Sequence, residues 1–217
     1  MTPRTSSPGG RAETAVLDAK GLAAAVTGIA KAIHADQKNA VAIAIVGIQS
    51  RGVPLAARLA RALRATGRKT IEVGSLDITL YRDDLSTVGT RPILKATNIP
   101  FSIDGTPVIL VDDVLFTGRT IRAALDELVD FGRPSRIALA VLIDRGHREL
   151  PIQADYVGKT LKTTRTDRVD VRLIETDGKD EVVLRRSAPR ASAARKQARA
   201  GLTPASAVGA LGSRTGQ

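Results

Sequence analysis

Four consecutive apolar β-formers, Val108 to Val111, run into two adjacent carboxylates, Asp112 and Asp113. The chain then turns through Thr117 and Gly118 into a helix whose apolar positions Ile121, Leu125 and Leu128 share one face. A buried strand, a polar turn and an amphipathic helix form the repeating unit of an open α/β sheet, in which ligands sit beyond the carboxyl ends of the strands. This turn offers backbone N–H groups and hydroxyls to a phosphate, and the carboxylates beside it suit sugar hydroxyls or Mg²⁺.

The rest of the chain repeats that alternation. Leu22, Val26, Ile29 and Ile33 predict a helix over 19–36. Residues 41–46 read as a buried strand, Gly47 to Gly52 as a loop, and Pro54 as the first position of a helix buried through Leu55, Leu59 and Leu63. Strands are expected at 70–80, 107–112, 136–143, 155–158, 169–174 and 181–184, with a helix over 118–131. A mainly parallel sheet with helices on both faces follows. The polar stretch from Tyr81 to about Pro100 is long for a connection and reads as a functional flap or a disordered insert.

Of the net charge of +11, residues 185–217 carry +7 with no acid, and Arg4 and Arg11 carry +2. The remainder, residues 13–184, is nearly neutral at +2. The expected organisation is a disordered extension over 1–14, one domain over 15–184, and a basic Ala/Gly/Arg-rich disordered tail over 185–217. Such a tail contacts nucleic acid without sequence preference or only keeps the protein in solution. With no cysteine, disulfides and thiolate metal sites are excluded. No apolar run approaches the ~20 residues of a membrane helix, and the first residues lack the apolar core of a signal peptide. A soluble cytoplasmic protein is the expectation.

Three motifs carry a resemblance. DITLYRDDL over 77–85, VDDVLFTGRT over 111–120 and LIDRGHRELPIQADYVGK over 142–159 occur in that order. The second resembles the type I phosphoribosyltransferases, which use 5-phosphoribosyl-1-pyrophosphate (PRPP). The three together resemble the family of bifunctional pyrimidine operon regulators and uracil phosphoribosyltransferases (PyrR), over roughly residues 16–184. The resemblance implies a type I phosphoribosyltransferase fold, its central sheet accompanied by a flexible flap and a small hood. It also implies transfer from PRPP to uracil, giving UMP and pyrophosphate, with Mg²⁺, in a homodimer or homotetramer.

Each motif then has a candidate role beside a plainer one. Asp112 and Asp113 would bind the ribose hydroxyls, directly or through Mg²⁺, near the positive charge that develops at C1; they also read as a solvated strand end with an Asp cap. Adjacent like charges repel, which favours the functional reading. Val114, Leu115, Phe116, Thr117, Gly118, Arg119 and Thr120 would grip the 5′-phosphate, or form an ordinary Thr-capped helix start. Ser50, Arg51 and Gly52 would hold pyrophosphate, where the resemblance implies a strained cis non-proline peptide, or make a plain turn. Arg82, in the Tyr81–Asp84 flap segment, would reach pyrophosphate as the flap excludes water, or only solubilise a loop. Asp144 and Arg145, with backbone near Tyr156, Val157 and Gly158, would form the uracil pocket.

Regulation would require RNA. The family binds a messenger-RNA leader hairpin, and here Thr27, Lys31, His147, Lys159, Lys162 and Arg165 are the candidates, with Arg168 nearby. With 3 Phe, 2 Tyr and no Trp, base stacking on a sheet is improbable. The family pattern TRIAHEI appears as TGIAKAI over Thr27–Ile33, so an Arg has become Gly28 and a His has become Lys31. Losing the Arg removes a bidentate partner for phosphate or base. An enzyme without sequence-specific RNA binding, or one acting on another base, is the alternative.

Overall fold

The computed structural model describes residues 13–68, 70–78 and 97–187. The expected flap segment with Arg82, and the greater part of both expected tails, lie outside the described residues.

Five strands form one parallel sheet: β2 (Ile43–Ile48), β3 (Ile71–Leu76), β4 (Pro107–Leu115), β5 (Arg136–Asp144) and β6 (Tyr156–Thr160), in the order β3-β2-β4-β5-β6. Their continuous apolar runs are what a sheet covered on both faces requires. Alternation sends Ile43 and Ile45 to one side, against α1 (Ala19–Asp36) and α2 (Gly52–Ala65). It sends Ala44 and Val46 to the other, with Ile121, Ala124 and Leu128 of α3 (Arg119–Leu128). Asp18 caps α1 by accepting a hydrogen bond from Gly21 N at 2.7 Å, and the predicted stripe Leu22, Val26, Ile29 and Ile33 is buried. No helix among the described residues is long and apolar enough to cross a membrane.

A smaller antiparallel sheet packs beside the first. Its order is β1 (Glu13–Leu17), β8 (Glu181–Arg185), β7 (Arg168–Arg172), and the short helix α4 (Ile174–Asp177) connects β7 to β8. Val171, Leu173 and Val182 join the core beneath α1 and α2. Strand β1, which no sequence pattern announced, is held by pairing with β8 and by Arg172, whose guanidinium binds Glu13 at 2.8 Å.

Several element ends differ from the sequence expectation. The first buried strand starts at Ile43, because pairing with Ile71 and Val108 begins there; Val41 is 91% exposed. Pro54 is the third residue of its helix, still within the first turn, where a missing N–H costs nothing. Asp112 and Asp113 do not end their strand, which runs on to Leu115 because β5 continues beside it, pairing Val114 with Ile143 and Leu115 with Asp144. Gly118, at φ +92°, stands outside the helix, and α3 passes into a 3₁₀ turn at Val129–Phe131.

The chain leaves β2 for β3 on one side and returns to β4 on the other, so the sheet order reverses between β2 and β4. This switch point is closed by contact. A Cβ on Gly52 would meet Val111 O at 2.4 Å, and one on Gly47 would meet Gly52 O at 2.5 Å. Gly28, by contrast, has nothing within 4 Å. Opposite signs are expected for one chemical change. Gly52→Ala loses about 2–3 kcal/mol of unfolding free energy by overpacking against backbone. Gly28→Ala gains about 0.5–1 kcal/mol from helix propensity. Urea denaturation of both variants checks this.

Candidate functional site

The crevice at the carboxyl ends of β2, β4 and β5 gathers most of the sequence candidates. The turn after β2 supplies Ser50 and Arg51, and the Gln49–Ser50 peptide is cis. Asp112 is buried at 6% exposure, and its Oδ1 accepts from Asp113 N at 2.9 Å. Asp113 Oδ1 accepts from Val114 N at 2.9 Å. Burial pushes the Asp113 carboxyl above its ordinary pKa; the neighbouring Asp112 side chain and the Arg51 charge pull the other way without cancelling it. Desolvation, the leading cause, disfavours the ionised form of this half-buried carboxyl.

Beyond Leu115, the Phe116–Gly118 turn leads into the N-terminus of α3. Thr117 Oγ1 accepts from Arg119 N at 3.4 Å. This turn is braced from behind by the segment after β5. Glu149 N and Leu150 N both donate to Thr117 O, at 2.9 and 3.3 Å. Arg148 donates to Phe116 O at 3.1 Å, to Ile152 O at 3.0 Å and to Asp144 Oδ2 at 2.6 Å. Gly118 opens α3 with a left-handed φ and no side-chain cap bond, and the helix dipole at this end favours an anion.

Asp144 and Arg145 reach the same end of the sheet but are already engaged. Asp144 also accepts from Gly146 N at 2.9 Å, so both its oxygens serve its own turn. Arg145 is 6% exposed, stacks over Phe116 at 4.1 Å and donates to Thr164 O at 2.8 Å, while its Nε has no partner. Burial holds that guanidinium below its ordinary pKa. Val157 stands half-exposed on β6, level with Val141 and below the strand ends.

The RNA candidates fall into separate sets. Thr27 and Lys31 lie one turn apart on the exposed face of α1. His147 Nε2 donates to Thr163 O at 2.7 Å, and its ring meets Phe116 edge-on at 6.1 Å. Lys159 reaches Val16 O of β1 at 3.2 Å. Lys162 is exposed, and Arg165 pairs with Glu149, which also holds Arg119 at 3.0 Å.

Sequence reasoning missed Arg148, Glu149, and Glu175, Asp177 and Asp180 of the 173–180 segment. Arg51 is gripped by Asp177 through two bonds, Nη2 to Oδ1 at 2.8 Å and Nε to Oδ2 at 3.2 Å. Arg58, two turns along α2, binds Glu175 at 2.5 Å and Asp180 at 2.7 Å. Asp144 and Arg148 at i,i+4 spacing were a usable signal; nothing local links Arg51 to a residue 126 positions away.

Comparison with known proteins bears on the fold and its family. The phosphoribosyl transferase domain model matches residues 13–173. Bifunctional protein PyrR of Pelotomaculum thermopropionicum is 52% identical over 80% of this chain and 96% of its own. That of Roseiflexus is 58% identical over 76% and 91%. The crystal structure of the hypoxanthine phosphoribosyltransferase of Trypanosoma cruzi superposes with a TM-score of 0.62 at 19% identity, covering 81% of this chain and 97% of that one, a likeness of fold.

A carboxyl whose pKa is higher in the folded than in the unfolded chain adds stability below the unfolded value and withdraws it as pH rises through the folded value. With its carboxyl pushed up by burial, Asp113 is expected to weaken the ligand-free protein at neutral pH. Asp113→Asn is expected to raise the urea midpoint at pH 7, with the advantage closing as pH falls through the carboxylate range. A midpoint at pH 7 no higher than that of the parent would contradict it.

Proposed function

We propose that this chain, which belongs to the phosphoribosyl transferase family and within it to the bifunctional PyrR proteins, transfers the phosphoribosyl group of PRPP to uracil, releasing pyrophosphate and UMP, and that its UMP-bound form binds leader RNA of pyrimidine genes. The observation that carries the catalytic part is the convergence of Asp112, Asp113, the Thr117–Thr120 turn and Arg51 at one switch point of the sheet.

In this reading the α3 N-terminus, with the Thr117 and Thr120 hydroxyls, holds the 5′-phosphate. Ser50, Arg51 and Gly52 hold the pyrophosphate end, joined by Arg82 from the flap segment. Asp112 and Asp113 hold the ribose hydroxyls. Uracil N1 bonds to C1 as the C1–oxygen bond to pyrophosphate breaks, and positive charge develops on the sugar. The enclosed carboxylate of Asp113 stabilises that charge most when it is largest, which is the condition for rate acceleration. Arg145 and the β6 backbone near Val157 line the base side, with Asp144 shaping its turn.

Mg²⁺ fits this donor set. It is commonly held by one or two carboxylates plus substrate phosphates rather than by a full protein cage. Among the described residues no group of three or more His, Cys, Asp or Glu could hold a metal ion, and the adjacent Asp112 and Asp113 would supply the carboxylates. When bound, Mg²⁺ would neutralise the diphosphate and make it a better leaving group.

Gly28 favours a second reading for the RNA side, catalysis without sequence-specific hairpin recognition. Its place on α1 is bare, between Thr27 and Lys31 and their exposed neighbours.

Radiolabelled uracil with PRPP and Mg²⁺ tests the enzyme. Asp112→Asn and Asp113→Asn are each expected to lower kcat/KM about 10²-fold or more. Formation of UMP at the parent rate by both variants would sink the assignment.

Gel shifts against a cognate leader hairpin, with and without UMP, test the RNA part. Open space at Gly28 lets Gly28→Arg add a charged hydrogen-bonding group without repacking, so affinity is expected to rise about tenfold. Hairpin binding no tighter than random RNA in both parent and variant leaves the second reading.

A further inference from the structure

We propose that Asp177 is a positioning residue for the pyrophosphate end of the site, holding one edge of the Arg51 guanidinium so that the other edge is presented to the diphosphate. This deepens the transfer reaction proposed above and rests on it.

A guanidinium has two bidentate edges, one made by Nε and an Nη, the other by the two Nη groups. Asp177 occupies the first, with Nε to Oδ2 at 3.2 Å and Nη2 to Oδ1 at 2.8 Å. The second edge has no partner among the described residues, and two parallel N–H groups there match a phosphate. Arg51 immediately precedes Gly52, where a Cβ would meet Val111 O at 2.4 Å, so its backbone stands against the strand that carries the paired carboxylates.

Asp177 is itself fixed. Its Oδ2 accepts from Leu173 N at 3.0 Å and from the Thr176 hydroxyl at 2.7 Å. The anchor is thus built into the α4 turn, and Arg51, with its side chain 39% exposed at the start of α2, is ordered before any ligand arrives. Preordering a long flexible side chain lowers the entropy lost on binding.

The pair is not needed to dock the 173–180 segment. Arg58 does that independently, donating to both oxygens of Glu175 and both of Asp180. Leu173 is fully buried in the core as well. Loss of the Asp177 carboxylate should therefore disturb Arg51 and leave the fold intact.

The rival role is competition, in which Asp177 occupies Arg51 until pyrophosphate displaces it. The two roles predict opposite signs. Under positioning, Asp177→Asn raises KM for PRPP and weakens product inhibition by pyrophosphate, each about tenfold, with kcat and the KM for uracil changed less than about twofold. Asp177→Glu, which keeps the charge and both oxygens, recovers most of the loss. Thr176→Val, which removes one bond to the anchor, gives a smaller rise of about threefold.

Steady-state kinetics on the full chain at physiological salt reads these values. Calorimetric titration of Mg²⁺-pyrophosphate reads the same site without turnover. An unchanged or lowered KM for PRPP in Asp177→Asn overturns the inference, and so does equal impairment in Asp177→Glu. If Asp177→Asn does not fold, an unaltered KM for PRPP in Thr176→Val overturns it. Absence of both turnover and pyrophosphate binding in the parent chain would instead overturn the transfer reaction, so the two failures are distinguishable.

Discussion

The site exists because two stretches of backbone touch. The first residue of α2 lies so close to Val111 O that no side chain fits at Gly52, and Gly47 packs under that same residue. This contact draws the turn carrying Arg51 up to the strand carrying Asp112 and Asp113. Parallel order β2-β4-β5 then sets the ends of three strands side by side, with α3 starting just beyond. The chemistry is therefore a consequence of sheet topology plus one close approach, and no single loop has to fold over a long path to build it.

Charge in the crevice is arranged for a ligand rather than for the empty protein. Asp113 sits where burial disfavours its ionised form, and Arg51, whose charge acts on it, is already committed on one edge to Asp177. A site optimised for the folded chain alone would pair or neutralise that carboxylate. In the proposed reaction, a sugar that becomes positive at C1 and a divalent cation on the diphosphate would supply positive charge to that carboxylate, which is the electrostatic form of transition-state complementarity.

Much of this was legible in sequence because its signals are local. The stripe Leu22–Val26–Ile29–Ile33, the buried runs at Ile43–Val46 and Val108–Val111, and the acid pair before Thr117 and Gly118 each declare an element within a dozen residues. Strand ends were less legible, since Val114 and Leu115 are strand only because β5 runs on beside them. β1 was not legible at all; five mostly exposed residues become a strand through pairing with a segment about 170 positions away. Likewise Asp144 looked available and proved to be the acceptor for Gly146 and Arg148. Side-chain commitments of that kind are settled by which loops meet in space, and an acidic turn at 175–180 carries no mark that it will face Arg51 and Arg58.

The two proposed activities are constrained very differently by this architecture. Each group proposed for the reaction stands on backbone fixed by packing: Asp112 follows Val111 within β4, Thr117 is bonded to the Glu149 segment, and Arg51 precedes a glycine that cannot be replaced without collision. Changing one of them disturbs neighbours that hold the fold. The outer face of α1 has no such tie. Gly28 touches nothing, and the Thr27 hydroxyl bonds only its own helix, at Ala23 O. Residues there can change at little cost to stability, even toward a glycine that weakens the helix. Selection on RNA contact alone would keep an arginine at such a position, and packing would neither require nor forbid one. The open position at Gly28 within α1 therefore bears on the proposed RNA contact alone and leaves the residues of the crevice untouched.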